Sequence, residues 1–182
     1  MQYCSVVCSN SGYVRIKAAD FVAYTAIIKL PFSTLGVFTH NEMLQAIDFL
    51  ADDIHAMPAQ DNISREVISQ LEAYCQGDRF CFDLPMTMAK TKYQQHVREA
   101  LLNIPAGKTL SYAGLAKQIG SGARAVAMAC RHNPLPVVVP CHRIVAKNSM
   151  GGYAGATSGK PVETKRWLLE HEYRSESRSG RD

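Results

Sequence analysis

The sequence predicts an α+β protein in two parts, a small α/β domain over residues 1–87 followed by a mostly helical domain over residues 88–182. Three observations carry that reading. Strand-like runs fill the start of the chain, and helical periodicity dominates the remainder. Residues 85–91, from Pro85 to Thr91, break both patterns and read as a connection. Charge divides at the same place. Residues 1–90 hold six Lys/Arg and ten Asp/Glu, a balance of −4, whereas residues 91–182 hold fourteen and six, a balance of +8.

In the first part, Ser5-Val6-Val7 and Tyr13-Val14-Arg15-Ile16 flank Asn10-Ser11-Gly12, a hairpin signal. Phe21 to Leu30 is β-branched and aromatic enough for a strand, stopped by Pro31, which has no N–H to give a ladder. Leu35-Gly36-Val37-Phe38 is a further strand. From Asn41 the spacing of Met43, Leu44, Ile47 and Leu50 predicts a helix. Ser64, Val67, Ile68, Leu71 and Tyr74 predict a second, closed by Gly77. Phe80 to Leu84 returns to strand. Nothing in this part carries evident chemistry.

In the second part, Thr91 opens a helix with Val97, Leu101 and Leu102 on one face, ending before Pro105-Ala106-Gly107. Ser111 is placed to cap a helix from Tyr112 to about Ile119, its side-chain oxygen accepting from exposed backbone N–H groups. Gly120-Ser121-Gly122 turns the chain into a second short helix, Ala123 to Arg131, closed near Asn133-Pro134. Such a pair is a helix-turn-helix. Its second helix carries Ala123, Ala125, Ala127 and Ala129 with Arg124 and Arg131. Small side chains let a helix approach a DNA groove or its own core closely, and the pattern alone leaves both open.

Val137-Val138-Val139 reads as a buried strand ending at Pro140-Cys141-His142-Arg143. A cysteine held there beside a histidine and an arginine is favoured as the thiolate, the nucleophilic form. Neighbours on a regular strand point to opposite faces, so Cys141 and His142 can cooperate only if the backbone turns or a water bridges them. Glu163 to His171 is a final amphipathic helix, and Ser175 to Asp182 a polar, frayed tail.

Composition excludes several classes. With 47% hydrophobic residues and a formal net charge of only +4, most of the chain is not disordered. No run of about 18 apolar residues spans a membrane. Met1-Gln2-Tyr3-Cys4 does not begin a basic segment followed by an apolar one, which predicts a cytoplasmic protein with reduced thiols. Of the six cysteines, Cys4 with Cys8 and Cys75 with Cys81 read as buried hydrophobes. Cys130, His132, Cys141 and His142 lack the spacing of a zinc finger or ribbon, so no metal is expected. The basic half suits either an anionic partner, nucleic acid foremost, or a solvated surface.

Over about residues 91–172 the chain resembles the O6-alkylguanine-DNA alkyltransferases. The resemblance rests on Ile104-Pro105-Ala106-Gly107-Lys108, Ser111-Tyr112, Ala123-Arg124-Ala125-Val126, Asn133-Pro134, Val139-Pro140-Cys141-His142-Arg143, Gly152-Tyr153-Ala154-Gly155 and Lys165-Arg166-Trp167-Leu168-Leu169, in that order and spacing. It implies a ribonuclease-H-like N-terminal domain and a winged-helix-like DNA-binding domain. It also implies stoichiometric, cofactor-free transfer of an alkyl group from O6-alkylguanine, and from O4-alkylthymine, in double-stranded DNA to a cysteine, by a monomer. By the same resemblance Cys141 is the acceptor, His142 the base that acts through a water, and Glu172 the carboxylate that orients it. Tyr112 crowds the phosphate and donates a proton to the leaving guanine, and Arg124 fills the base stack. Ser111, Ala125 and Arg131 join Arg124 and Tyr112 at the DNA. Asn133 braces the turn beside the acceptor, and Val139, Pro140, Tyr153 and Ala154 line the substrate pocket with it. Two features depart from the family. Met128 stands where glycine or alanine is common, and the stretch from Ala156 to Glu163 is longer than usual, which bears on the range of alkyl groups accepted.

Overall fold

The computed structural model describes residues 6–9, 12–15 and 24–179, with the side chains of 24–175. Two compact units divide the chain, Met1–Thr87 and Met88–Asp182. Both mix helices with sheet.

The first unit holds a five-stranded antiparallel sheet of order β2-β1-β5-β4-β3, made of β1 (Val6–Ser9), β2 (Gly12–Arg15), β3 (Ala26–Leu30), β4 (Ser33–His40) and β5 (Met43–Leu50). The expected hairpin is present as β1 paired with β2, Ser9 opposite Gly12. Its turn residues Asn10 and Ser11, the strand start at Phe21, and Cys4 lie outside the described residues, as do the side chains of Cys8 and residues 176–182.

Two expectations fail here for physical reasons. The helix expected from Asn41 is instead strand β5. Asn41 and Glu42, with φ of 50° and 58°, form the two-residue turn that pairs His40 with Met43. Strand β5 is central, and a bulge at Gln45 puts Leu44, Ile47 and Phe49 on one face, opposite Thr39, Val37 and Leu35, with Leu50 buried on the other. The bulge gives Leu44 and Ile47 a three-residue spacing on one face, and burial of Leu50 on the other further erases the alternation that marks a half-exposed strand. Phe80 to Leu84 is not a strand either. The Gln70 side chain takes the place of a partner strand, accepting from Asp83 N and donating to Asp83 O, both at 2.9 Å. Phe80 and Phe82 then pack on Tyr74, with ring centroids 5.6 and 5.7 Å away.

Helix α1 (Asn62–Gln76) follows the expected pattern, and turns Val67, Leu71 and Tyr74 inward. Asp61 and Ser64 form a reciprocal capping box at its start. Gly77, with φ of 86°, ends it in the left-handed conformation that glycine adopts without steric cost. Cys75 is half-buried and Cys81 exposed, so this pair is not the buried one expected.

The second unit opens with α2 (Lys92–Leu102), capped by Thr91 as expected. It buries Val97, Arg98 and Leu101, whereas Leu102, expected on the same face, is exposed. A short strand β6 (Leu110–Ser111) leads into α3 (Tyr112–Gln118), and a turn through Gly120 leads to α4 (Ala123–Arg131). Ser111 caps α3 by accepting from Gly114 N at 2.9 Å. Strand β7 (Ile144–Val145) lies parallel to β6, and α5 (Lys160–Ser179) ends the described chain. Helix α5 begins earlier and runs further than expected. Lys160 to Glu163 form its first turn, and residues 175–179 continue it.

Candidate functional site

Cys141 opens a 3₁₀ turn, Cys141–Arg143, and is not at the end of a strand. Val137, Val138 and Val139 are buried as expected but form irregular turns. Val139 N bonds Leu135 O, Cys141 N bonds Val139 O at 2.8 Å, and Val137 has φ of 72°. A β-branched residue in that region stores on the order of 1–3 kcal/mol of strain. Burial of the valines, not their pairing, produced the strand-like signature. In the 3₁₀ segment the backbone turns between Cys141 and His142, one of the two conditions under which these neighbours can cooperate.

Asn133 braces this segment with every atom of its amide. Its Oδ1 accepts from Leu135 N at 3.1 Å, and its Nδ2 donates to Val139 O at 3.0 Å and to the Cys141 sulfur at 3.2 Å. Cys141 is only 5% exposed. Burial pushes its thiol pKa up, opposed by the Asn133 hydrogen bond and the Lys165 charge.

His142 and Glu172 are both fully buried, and His142 Nε2 lies 2.9 Å from Glu172 Oε1. A carboxylate only accepts, so Nε2 carries the proton and Nδ1 keeps its lone pair. Nδ1 is buried with no hydrogen-bond partner among the described residues. Burial lowers the His142 pKa, so the neutral ring dominates at physiological pH. Arg143 donates through Nε and Nη2 to Glu172 at 3.0 and 2.9 Å, and through Nη1 to Ile104 O at 2.6 Å. Gly107 N adds a bond to Glu172 Oε2 at 3.1 Å. Burial would raise the Glu172 pKa, yet these partners hold it well below the carboxylate range. One carboxylate on α5 thus ties the Ile104–Gly107 turn to the segment bearing Cys141.

Lys165 has no accessible surface. Its Nζ donates to Ile144 O at 2.6 Å and Gly152 O at 3.1 Å, joining the chain after Cys141 to the loop that holds Tyr153. Burial pushes its pKa down to about 8, against the opposing pull of Cys141 and Cys130. Sequence reasoning gave Arg143 only the role of favouring the Cys141 thiolate, whereas the buried thiol has a raised pKa and Arg143 is committed to Glu172 and Ile104. It gave Lys165 no role. The signal was spacing, since Lys165, Leu168 and Glu172 all fall on the buried face of α5.

Tyr153 is buried, and burial with the nearby Cys141 and Glu172 charges raises its pKa well above the usual value. Its loop closes through paired bonds between Tyr153 and Ala156, both 2.9 Å. A Cβ at Gly152 would stand 2.5 Å from the Ala156 carbonyl oxygen, a backbone atom that cannot move aside. Ala154 is half-buried with φ of 46°, and Pro140 is buried. Tyr112, the first residue of α3, is half-buried, and burial with the Cys130 and Cys141 charges pushes its pKa up to about 12.

The other proposed DNA contacts lie on α4 and at the start of α3. Arg124, Ala125 and Arg131 are exposed on α4, and Ser111 is engaged in its cap. Cys130, His132, Cys141 and His142 do not converge. His132 is exposed and its Nδ1 donates to Met128 O at 2.8 Å, and among the described residues no group of three metal-ligating side chains gathers. No helix among them is long and apolar enough to cross a membrane.

Residues 92–174 match the family description "6-O-methylguanine DNA methyltransferase, DNA binding domain". The chain is 44% identical over 108 residues to a methylated-DNA–protein-cysteine methyltransferase of Mycobacterium bovis, covering 58% of this chain and 62% of that relative, less than two thirds of its length. It is 35% identical over 156 residues to a protein of the same name from Methanosarcina mazei, covering 82% of this chain and 96% of the relative. The fold is similar to the crystal structure of Mycobacterium tuberculosis OGT in complex with DNA, with a TM-score of 0.69, 34% identity, and coverage of 82% and 92% of the two chains.

Proposed function

The chain belongs to the methylated-DNA–protein-cysteine methyltransferase family, and from that premise we propose that it reverses DNA alkylation directly, moving the alkyl group of O6-alkylguanine onto its own Cys141. The observation that carries the proposal is the buried Cys141 thiol, hydrogen-bonded by Asn133 and followed in sequence by a histidine clamped to a buried carboxylate. This is the pattern of a nucleophile whose base is oriented by a third group.

The alkylated base is stacked in the duplex and has to rotate out before a buried thiol can reach it, which is easiest at a damaged or mispaired position. Arg124, exposed on α4, takes the vacated place in the stack. His142 Nδ1 draws the Cys141 proton through a water, while Glu172 stabilises the imidazolium that forms. The thiolate sulfur bonds to the alkyl carbon as the carbon–O6 bond breaks, and its electron pair leaves with guanine. Tyr112, a phenol that carries its proton at neutral pH, donates to the leaving base. Val139, Pro140, Tyr153 and Ala154 border the base. The thioether product has no easy reversal, so each molecule reacts once and needs no cofactor.

The same reading makes the first unit ribonuclease-H-like and the second winged-helix-like, the latter supported by α3 and α4 beside the β6–β7 ladder. It also makes the protein a cytoplasmic monomer. O4-alkylthymine is a second substrate on this reading. The test is a turnover count: with lesion-bearing duplex in excess, restored guanine should stop at an amount equal to protein. Continued turnover would indicate a cysteine hydrolase instead.

A further inference from the structure

The outward face of α4 carries one large apolar side chain. Met128 is 47% exposed, while Val126 and Cys130 of the same helix are buried. It stands four residues after Arg124, hence on the same face one turn along. A single exposed apolar residue is ordinary, but this one has unusual company. The exposed positions around it on α4 are Ala123, Arg124, Ala125 and Arg131, small or cationic and complementary to a polyanion. The helix has no Asn, Gln, Asp or Glu, so arginine is its only side chain able to read base edges through paired hydrogen bonds. Apolar side chains flanked by arginine are what sequence-indifferent minor-groove binders press between base steps.

Resting on the proposed function above, we infer that Met128 is a second DNA wedge. Arg124 fills the gap left by the flipped nucleotide, and Met128 presses into the duplex one helical turn away and loosens the stack beside it. The side chain that departs from the small residues common at this position therefore aids flipping and does not hold the helix off the DNA.

The test uses Cys141→Ala protein, so that complexes persist, with a duplex carrying O6-methylguanine next to the fluorescent base 2-aminopurine. Adding Met128→Ala should weaken binding about fivefold, the size expected for losing part of a buried methionine. The loss should be equal at every salt concentration, because no charge is removed. The fluorescence rise on binding should shrink, Met128→Leu should restore both, and the melting temperature should stay unchanged. Equal affinity and fluorescence with and without Met128 would overturn the inference, as would tighter binding by Met128→Ala. A loss confined to thymine-containing duplexes and abolished by uracil would place Met128 on a thymine methyl in the major groove, again overturning the wedge. If the parent protein bound no lesion duplex at all, the proposed function would fail first and carry the wedge with it.

Discussion

Two carboxylates, one in each unit, respond to burial in opposite ways. Asp48 on β5 is half-buried and accepts a 3.1 Å hydrogen bond from the Tyr24 hydroxyl. Burial raises its pKa, and the Tyr24 bond offsets this only in part. Glu172 on α5 is buried completely, yet its pKa is driven down by His142 and Arg143. A neutral hydroxyl offsets only part of the cost of burying a carboxylate's charge, whereas a guanidinium and an imidazole together more than offset it. The first arrangement fastens a sheet. The second maintains a negative charge where a base needs one.

Substitutions probe this contrast at several points. The largest effect is expected from Cys141→Ala, which should abolish alkyl transfer and leave lesion binding intact. Cys130→Ala, removing the other buried thiol of this unit, should keep transfer. A repair assay with a parallel binding titration checks both.

Next in size is Glu172→Gln, which leaves Arg143 buried without its counter-charge and should cost roughly 3–5 kcal/mol of stability. The acid dependence has a definite sign. The folded pKa of Glu172 lies below its ordinary 4.5, so its contribution is full above that pH and fades as pH falls through the folded value. The folded pKa of His142 lies below 6.5, so acid also favours the unfolded state there. Asp48, with a raised pKa, gains stability as pH falls. Glu172→Gln should therefore flatten the acid limb of a stability–pH curve, and raise the apparent thiol pKa in the rate–pH profile. An unchanged rate–pH profile would count against the His142–Glu172 link.

A smaller, selective effect is expected from Arg124→Ala. Duplex repair should slow by about tenfold or more, a loss of at least ~1.4 kcal/mol, with reaction on free O6-benzylguanine nearly unchanged. Equal loss on both substrates would remove its stack-filling role. Smallest of all, Asp48→Asn should cost under about 1 kcal/mol and leave transfer per folded molecule unaltered, as thermal melting and a repair titration would show.

The sequence was most legible where local chemistry decides structure. Helices α1 to α4 were visible from caps and spacing, with Thr91 and Ser111 capping as read. It was least legible where tertiary burial overrides periodicity. Strand β5, bulged at Gln45 so that Leu44 and Ile47 share a face, mimicked a helix, and the buried Val137–Val139 turns mimicked a strand. Phe80 to Leu84 looked strand-like because its phenyl rings pack, although its backbone bonds go to Gln70. In the site, Cys141 beside His142 stood out in sequence. Glu172 is 30 residues from His142, and only the resemblance joined them. Lys165 and the pairing of Arg143 with Glu172 stayed silent because a charged residue is read as solvent-facing until packing shows it buried.

Whether Cys141 is the alkyl acceptor decides the proposed function. Mass spectrometry of the intact protein and its peptides, after mixing with duplex DNA bearing a single O6-methylguanine, answers this without an intermediate step. The expected outcome is a gain of one methyl, confined to the peptide containing Cys141 and saturating at equivalence. A methyl carried on Cys130, or an unmodified protein that nonetheless holds the lesion, would contradict it, the latter making the chain a damage sensor.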